Sequence, residues 1–222
     1  MAVIFLLLKF ATPPGFRCYI KNMHPAPSSR RTLQAWLQCG VALLGAVALA
    51  GCVVTSVYPY YTAKDVIFDA GLTGRWNKPG ETNMYWTFDR DADRAYGVTT
   101  VDEHETNHFN GYLFQLKGQS FLDLCTTNRD DWQQLPLHLV VKVGRTDDQL
   151  HLAVLNYDWL GKLLEAHPGT LRHLVVPEKP LETNSNKQFY LTAETRELQK
   201  FLLKYRDNTN AFSALDDLKR AK

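Results

Sequence analysis

The sequence lacks the signatures of several enzyme classes and of nucleic-acid-binding proteins. No serine lies in a Gly-x-Ser-x-Gly elbow, and no glycine-rich stretch has the spacing of a phosphate-binding loop. The formal net charge of the 222 residues is only +2, so neither a nucleic-acid partner nor an acidic ligand is indicated. Hydrophobic residues make up 45% of the chain, which is typical of a globular protein. The sequence contains no motif that predicts a cofactor.

Acidic residues are absent from residues 1–51, although this segment holds five of the 25 basic residues. The rest of the chain has 20 basic and 23 acidic residues and is therefore net negative, at −3. Within the segment, Arg30 and Arg31 precede an apolar run from Ala35 to Ala50, and small residues then lead to Cys52. A basic start, an apolar middle and a small-residue end are the layout of a secretory signal peptide.

The last four residues of this layout, Leu49-Ala50-Gly51-Cys52, resemble the lipobox of bacterial lipoproteins. The resemblance implies cleavage between Gly51 and Cys52, a lipid on the Cys52 sulfur and a further acyl chain such as palmitate on the new N-terminus. An uncleaved membrane helix is the alternative, although the apolar run of about 16 residues is shorter than the roughly 20 that span a bilayer. The paired arginines also resemble a twin-arginine export signal.

The residues after Cys52 bear on location and on domain boundaries. Val53 and Val54 stand where an Asp favours inner-membrane retention in that family, so the resemblance implies an outer-membrane lipoprotein facing the periplasm. Translation is predicted to start at Met23, which begins a leader of ordinary length. Residues 1–51 are then leader and signal peptide, 52–70 the lipidated cysteine and a tether, and 71–222 one globular domain.

The mature chain is rich in short runs of β-branched and aromatic residues joined by turn-rich links, which predicts antiparallel hairpins. The predicted strands follow an opening "GLTGRWN" and are Met84–Arg90, Ala95–Asp102, Phe109–Lys117, Ser120–Cys125, Leu137–Gly144 and Gln149–Asn156. Cys125 is interpreted as a buried apolar residue rather than a nucleophile.

Helical patterns appear only after these strands. "YDWLGKLLEAHPG" has leucines at helical spacing, "QFYL" predicts a last strand, and "TAETRELQKFLLKY" is the clearest helix. A shorter helix over Ala211–Arg220 is predicted to end the chain. The predicted fold class is β-rich α+β: an antiparallel meander of about seven to eight strands, forming a partial or closed barrel, with C-terminal helices and an N-terminal signal or anchor helix.

The triplet Gly74-Arg75-Trp76 at the start of this meander resembles the Gly-x-Trp of the lipocalin or calycin group. In that group the tryptophan plugs one end of an antiparallel barrel. The resemblance implies a ligand cavity lined by Trp76, Trp86, Phe88 and Tyr112. The alternative is that these side chains are ordinary core aromatics.

The stretch His104-Glu105-Thr106-Asn107-His108 has the letters of the zinc-protease motif H-E-x-x-H. That motif requires a helix, because only a helix brings positions i and i+4 within reach of one ion. The residues around it are poor helix formers, and a strand would hold the two histidines about 13 Å apart. We therefore predict a strand and its turn, with no metal site. His138 and His151 are predicted to lie on two different strands. If these strands pair, the two histidines could approach each other across the pair.

These features predict a lipid-anchored protein of the cell envelope, acting as a binding or structural module rather than an enzyme. Its predicted partner is the membrane, through Cys52, and no nucleic acid. The alternatives are a lipocalin-like carrier of a small apolar ligand and, second, a zinc hydrolase.

Overall fold

Eight antiparallel strands close into a barrel in the computed structural model, which describes residues 53–81, 83–103, 105–126, 135–177 and 187–222. The strands are β1 (Thr55–Ser56), β2 (Gly74–Asn77), β3 (Tyr85–Arg90), β4 (Tyr96–Val101), β5 (Thr106–Leu116), β6 (Gln119–Thr126), β7 (His138–Arg145), β8 (Gln149–Leu155), β9 (His173–Pro177), β10 (Lys187–Leu191) and β11 (Phe212–Arg220). The helices are α1 (Tyr157–Ala166) and α2 (Thr195–Tyr205), with short 3-10 turns at Ala70–Leu72, Ala92–Arg94 and Pro168–Thr170.

The barrel consists of β2 to β8 in sequence order and is completed by β11, which pairs with both β8 and β2. Short links make this meander possible. Lys117 and Gly118 form the two-residue turn between β5 and β6, with φ of 46° and 85°. Two positive φ values match the twist of a tight hairpin, and they explain the glycine at this position. The predicted fold class, a β-rich α+β meander with helices, is confirmed.

Alternating side chains of the barrel strands fill its interior. In β4, for example, Tyr96, Val98 and Thr100 are buried and the residues between them are more exposed. The interior cluster is formed by Leu72, Trp76, Trp86, Phe88, Tyr96, Val98, Leu113, Leu122, Leu124, Val141, Val143, Leu150, Leu152 and Leu218. This period-two pattern is what places one face of each strand in the core.

A second core lies on the outer wall of the barrel, where both helices pack. Asn156 caps α1 by accepting a hydrogen bond from the Trp159 backbone N–H at 2.9 Å. In α2 the buried stripe is Leu198, Phe201 and Leu202, which agrees with the helix predicted there. The outer core also includes Val54, directly before β1, and Phe189 on β10.

The prediction for the end of the chain is wrong, because Ala211–Arg220 contains strand β11 and not a helix. Pairing with distant strands decides the structure of this segment, because without β11 both β8 and β2 would have an unpaired edge. A register shift between Ala214 and Asp216 marks a bulge, after which Leu218 points into the interior.

The segment predicted as a tether is packed into the domain. The compact unit begins at Val53, and Val54, Tyr60 and Val66 are all buried. Strand β1 pairs in parallel with β10 and meets β7 at one position. The leader, with Met23, Gly51 and Cys52, lies outside the described residues. In the part of the chain that the structure describes, no helix combines the length and apolar character needed to span a bilayer.

Candidate functional site

Three of the four residues predicted to line a ligand cavity come together in the barrel interior. Trp76 on β2 is opposite Trp86 on β3, and the rings of Trp86 and Phe88 stack with centroids 6.0 Å apart. All three belong to the cluster of buried interior side chains. Tyr112 is on the outer wall instead, where its ring stacks 4.6 Å from that of Tyr61.

The interior around Gly111 leaves no room for a larger side chain. A Cβ atom at Gly111 would lie 2.7 Å from Val98 Cγ2 and 3.3 Å from Leu122 Cδ1, closer than carbon atoms approach without a shift. An eight-stranded barrel is just wide enough to be filled by side chains or to hold one small ligand. At this level of the barrel the described side chains occupy the space.

Trp76 on β2 and Arg220 at the end of β11 are directly opposite each other and in contact. The Arg220 guanidinium lies 4.2 Å from the centre of the Trp76 ring, and the indole N–H of Trp76 donates to the Leu72 carbonyl at 2.8 Å. Arg220 also donates to the carbonyls of Gly71 and Thr73, so it joins the 3-10 turn to the last strand. A guanidinium over an indole ring is attracted to the ring face, and this contact stabilises the fold.

A partly buried carboxylate, Asp216, adds polarity beside the interior. Its Oδ2 accepts a hydrogen bond from Trp86 Nε1 at 3.0 Å, and Lys78 Nζ lies 3.8 Å from its other oxygen. Burial raises the pKa of Asp216, although the Trp86 hydrogen bond and Lys78 lower it. An open pocket beside it is lined by Lys78, Pro79, Ala214, Leu215, Asp216 and Asp217.

The described part of the H-E-x-x-H stretch is a turn and a strand, as the flanking residues predict. Asp102 and Glu105 form the turn, since the Glu105 N–H donates to Asp102 Oδ1 at 2.8 Å. His108 is in β5, with Nδ1 3.0 Å from the Thr99 hydroxyl on β4. His104 lies outside the described residues. Among the described residues, no group of three or more His, Cys, Asp or Glu side chains is arranged to hold a metal ion.

His138 and His151 are on neighbouring strands but do not meet. His151 is opposite Gly144, six residues from His138 along β7, a separation of about 20 Å. Each histidine contacts a different carboxylate. Nδ1 of His138 is 2.7 Å from Asp123 Oδ1, and Nδ1 of His151 is 2.6 Å from Asp217 Oδ1.

The Asp123 carboxylate is the centre of a buried polar cluster on the outer wall. Asp123 is fully buried, and besides His138 it accepts the Tyr60 backbone N–H at 2.8 Å. Burial and the Asp123 charge raise the pKa of Tyr60, so its hydroxyl stays neutral. Cys125 is the cross-strand neighbour of His138 on the same face of the sheet as Asp123.

The hydrogen bonds of this cluster join three segments of the chain, β6, β7 and the residues that follow β1. That is the role of a clamp which fastens the N-terminal segment to the barrel. The sequence did not reveal it, because Asp123 lies in an apolar strand and nothing local indicates that His138 is its partner.

An exposed apolar surface is a second feature that sequence reasoning missed. We call Leu174, Val175, Val176 and Pro177 the β9 edge: they are the exposed residues of the outermost strand, which pairs only with β10 among the described strands. The first three side chains are 59%, 43% and 41% exposed. The run of aliphatic residues before a proline is the signal in the sequence that could have identified an edge strand.

Comparisons of the chain with protein-family models, with curated proteins and with solved structures find no significant match.

Proposed function

We propose that the protein is a lipid-anchored component of the cell envelope, facing the periplasm, whose barrel serves as a binding or structural module through its outer surface. The observation that carries the proposal is the Leu49–Cys52 lipobox at the end of an apolar leader, directly before the compact unit that begins at Val53. Val53 and Val54 in place of an acidic residue support the outer membrane as the site. The proposal assigns no catalysis to the domain.

The anchor is tested by metabolic labelling with a palmitate analogue, comparing the wild type with Cys52→Ala. Cys125→Ala is the matched control, because it removes the other cysteine of the predicted mature chain. We expect label on the wild type and on Cys125→Ala, and none on Cys52→Ala. Equal labelling of all three proteins would contradict the lipobox assignment.

A lipocalin-like carrier is the second candidate, and the closed eight-stranded barrel favours it. The tightly packed interior favours the structural module. The two candidates predict different results in a titration with an apolar fluorescent probe. The titration uses a Trp132→Phe, Trp159→Phe variant, in which Trp76 and Trp86 are the tryptophans left in the predicted mature chain, and it is read through quenching of their emission. The structural module predicts no saturable quenching. Stoichiometric quenching that a fatty acid reverses would support the carrier.

A further inference from the structure

The β9 edge lies beside the point where the anchor enters the domain. Gln188 on β10 donates from Nε2 to the Val53 carbonyl at 2.6 Å, and Gln188 is directly opposite Val176 on β9. Thr55 is in parallel register with Tyr190, so Val53 is level with Gln188 two residues earlier. With strands about 4.8 Å apart, Val53 and Val176 are separated by two strand spacings, or roughly 10 Å.

No slack separates this edge from the anchor. Cys52 is one residue from Val53, about 3.8 Å along the chain. Val54 is buried, so the chain is fixed in the domain from its second described residue onward. A lipid on Cys52 therefore places the neighbouring end of the β9–β10 pair within reach of the polar headgroup layer, which is roughly 5–8 Å thick on each side of a bilayer.

The composition of the β9 edge suits an interfacial environment. Successive side chains of a strand point to opposite faces, so Leu174 and Val176 project to one side and Val175 to the other, and all three are exposed. The backbone groups on the side of β9 that pairs with no described strand need water or headgroups as partners and are not satisfied in hydrocarbon. Apolar side chains on both faces with a polar edge fit the boundary between headgroups and acyl chains.

We propose that the β9 edge contacts the bilayer surface beside the anchor and so fixes how the barrel is oriented on the membrane. This inference rests on the proposed anchor at Cys52. A second copy of the chain is the competing occupant, through pairing of two edge strands. Stable protein interfaces bury about 1,200 Å² or more, and one five-residue strand offers much less than that. The proposed anchor nearby favours lipid as the occupant instead.

Spin labelling of the intact protein tests the contact. A nitroxide is attached at Val175→Cys or at the control Asp147→Cys, which is exposed in the turn at the opposite end of β7 from the β1 contact. Each protein is purified from membranes and reconstituted in vesicles of phosphatidylethanolamine and phosphatidylglycerol. The native cysteines can also be labelled, so the spectrum of the labelled protein without an added cysteine is subtracted. Collision with oxygen is then compared with collision with a water-soluble nickel chelate.

We expect the oxygen-to-nickel accessibility ratio to be several-fold higher at position 175 than at position 147. Equal ratios at the two positions overturn the proposal. Shielding of position 175 from both reagents, with dipolar broadening between labels, also overturns it and indicates a second copy.

The mass of the N-terminal peptide from the same samples reports on the anchor separately. An unmodified Cys52 contradicts the proposed function. If Cys52 is unmodified and the same peptide mass shows that the leader is retained, the label still decides the bilayer contact, because the apolar leader then takes the place of the lipid as the anchor next to Val53.

Discussion

At Gly111, one added methyl group is enough to test how tightly the barrel interior is packed. Gly111→Ala places a carbon 2.7 Å from Val98 Cγ2, so we expect it to destabilise the fold by about 1–3 kcal/mol. Gly144→Ala is the matched control, since its new carbon meets His151 Cβ at an ordinary 3.6 Å. Urea unfolding of both variants is the measurement, and equal stabilities would mean that the interior is looser than described.

Two aspartates give opposite predictions for the pH dependence of stability. Asp216 has a raised pKa through burial, so the folded state binds its proton more tightly than the unfolded state. This contribution to the free energy of unfolding therefore falls as pH rises from the ordinary aspartate pKa through the raised one. Burial also acts on Asp65, but hydrogen bonds from Thr62 and Gln199 outweigh it and hold the pKa of Asp65 below its usual value.

The test compares Asp216→Asn and Asp65→Asn with the wild type by urea unfolding across the acidic range. The advantage of the wild type over Asp216→Asn should be greater at acidic pH than at neutral pH. Its advantage over Asp65→Asn should decline as pH falls through the lowered pKa of Asp65. The same trend in both variants would show that the environments of these two carboxylates are not as described.

At the scale of elements, β11 decides whether the barrel is closed. His151 on β8 is directly opposite Asp217 on β11, and their side chains are in contact. Paired residues of antiparallel strands have Cα atoms about 4.5–5.5 Å apart, within the range that a disulfide spans. We expect His151→Cys with Asp217→Cys to form a disulfide under mild oxidation, detected by peptide mass. His151→Cys with Asp216→Cys is the control and should not form one, because Asp216 faces the other side of the strand.

The elements that could be predicted from the sequence are those whose pattern is local. Six predicted strands correspond to β3–β8 within a few residues at each end, and the Leu198, Phe201 and Leu202 stripe of α2 is where the helical spacing placed it. Two of the missed elements, β1 and β11, depend on partners far away in the chain. β1 is two residues long and is defined by its pairing with β10, and β11 is a strand because β8 and β2 require it.

The candidate sites divide in the same way. The alternation of β3 places Trp86 and Phe88 inside, but the choice between a cavity and a packed core depends on neighbours such as Val98 and Leu122. The pairing of Asp123 with His138 depends on the register of β6 against β7, and short motifs contain no information on register.

At the scale of the whole molecule, the compact domain begins at Val53, immediately after the cysteine that we propose as the anchor. Val54 in the core, the clamp at Asp123 and the β9 edge near Val53 all lie at or near the end of the domain that follows Cys52. A lipid at that residue would hold the barrel against the membrane without a flexible spacer. Two or three acyl chains would make the attachment stable, since one chain alone binds only weakly.

The most direct test of this claim is the mass of the mature N-terminus, measured on protein extracted from membranes of cells that express the full chain. We expect a chain of residues 52–222 whose N-terminal peptide carries acyl chains on Cys52. A mature protein that begins upstream of Cys52, or that carries an unmodified Cys52, would contradict it.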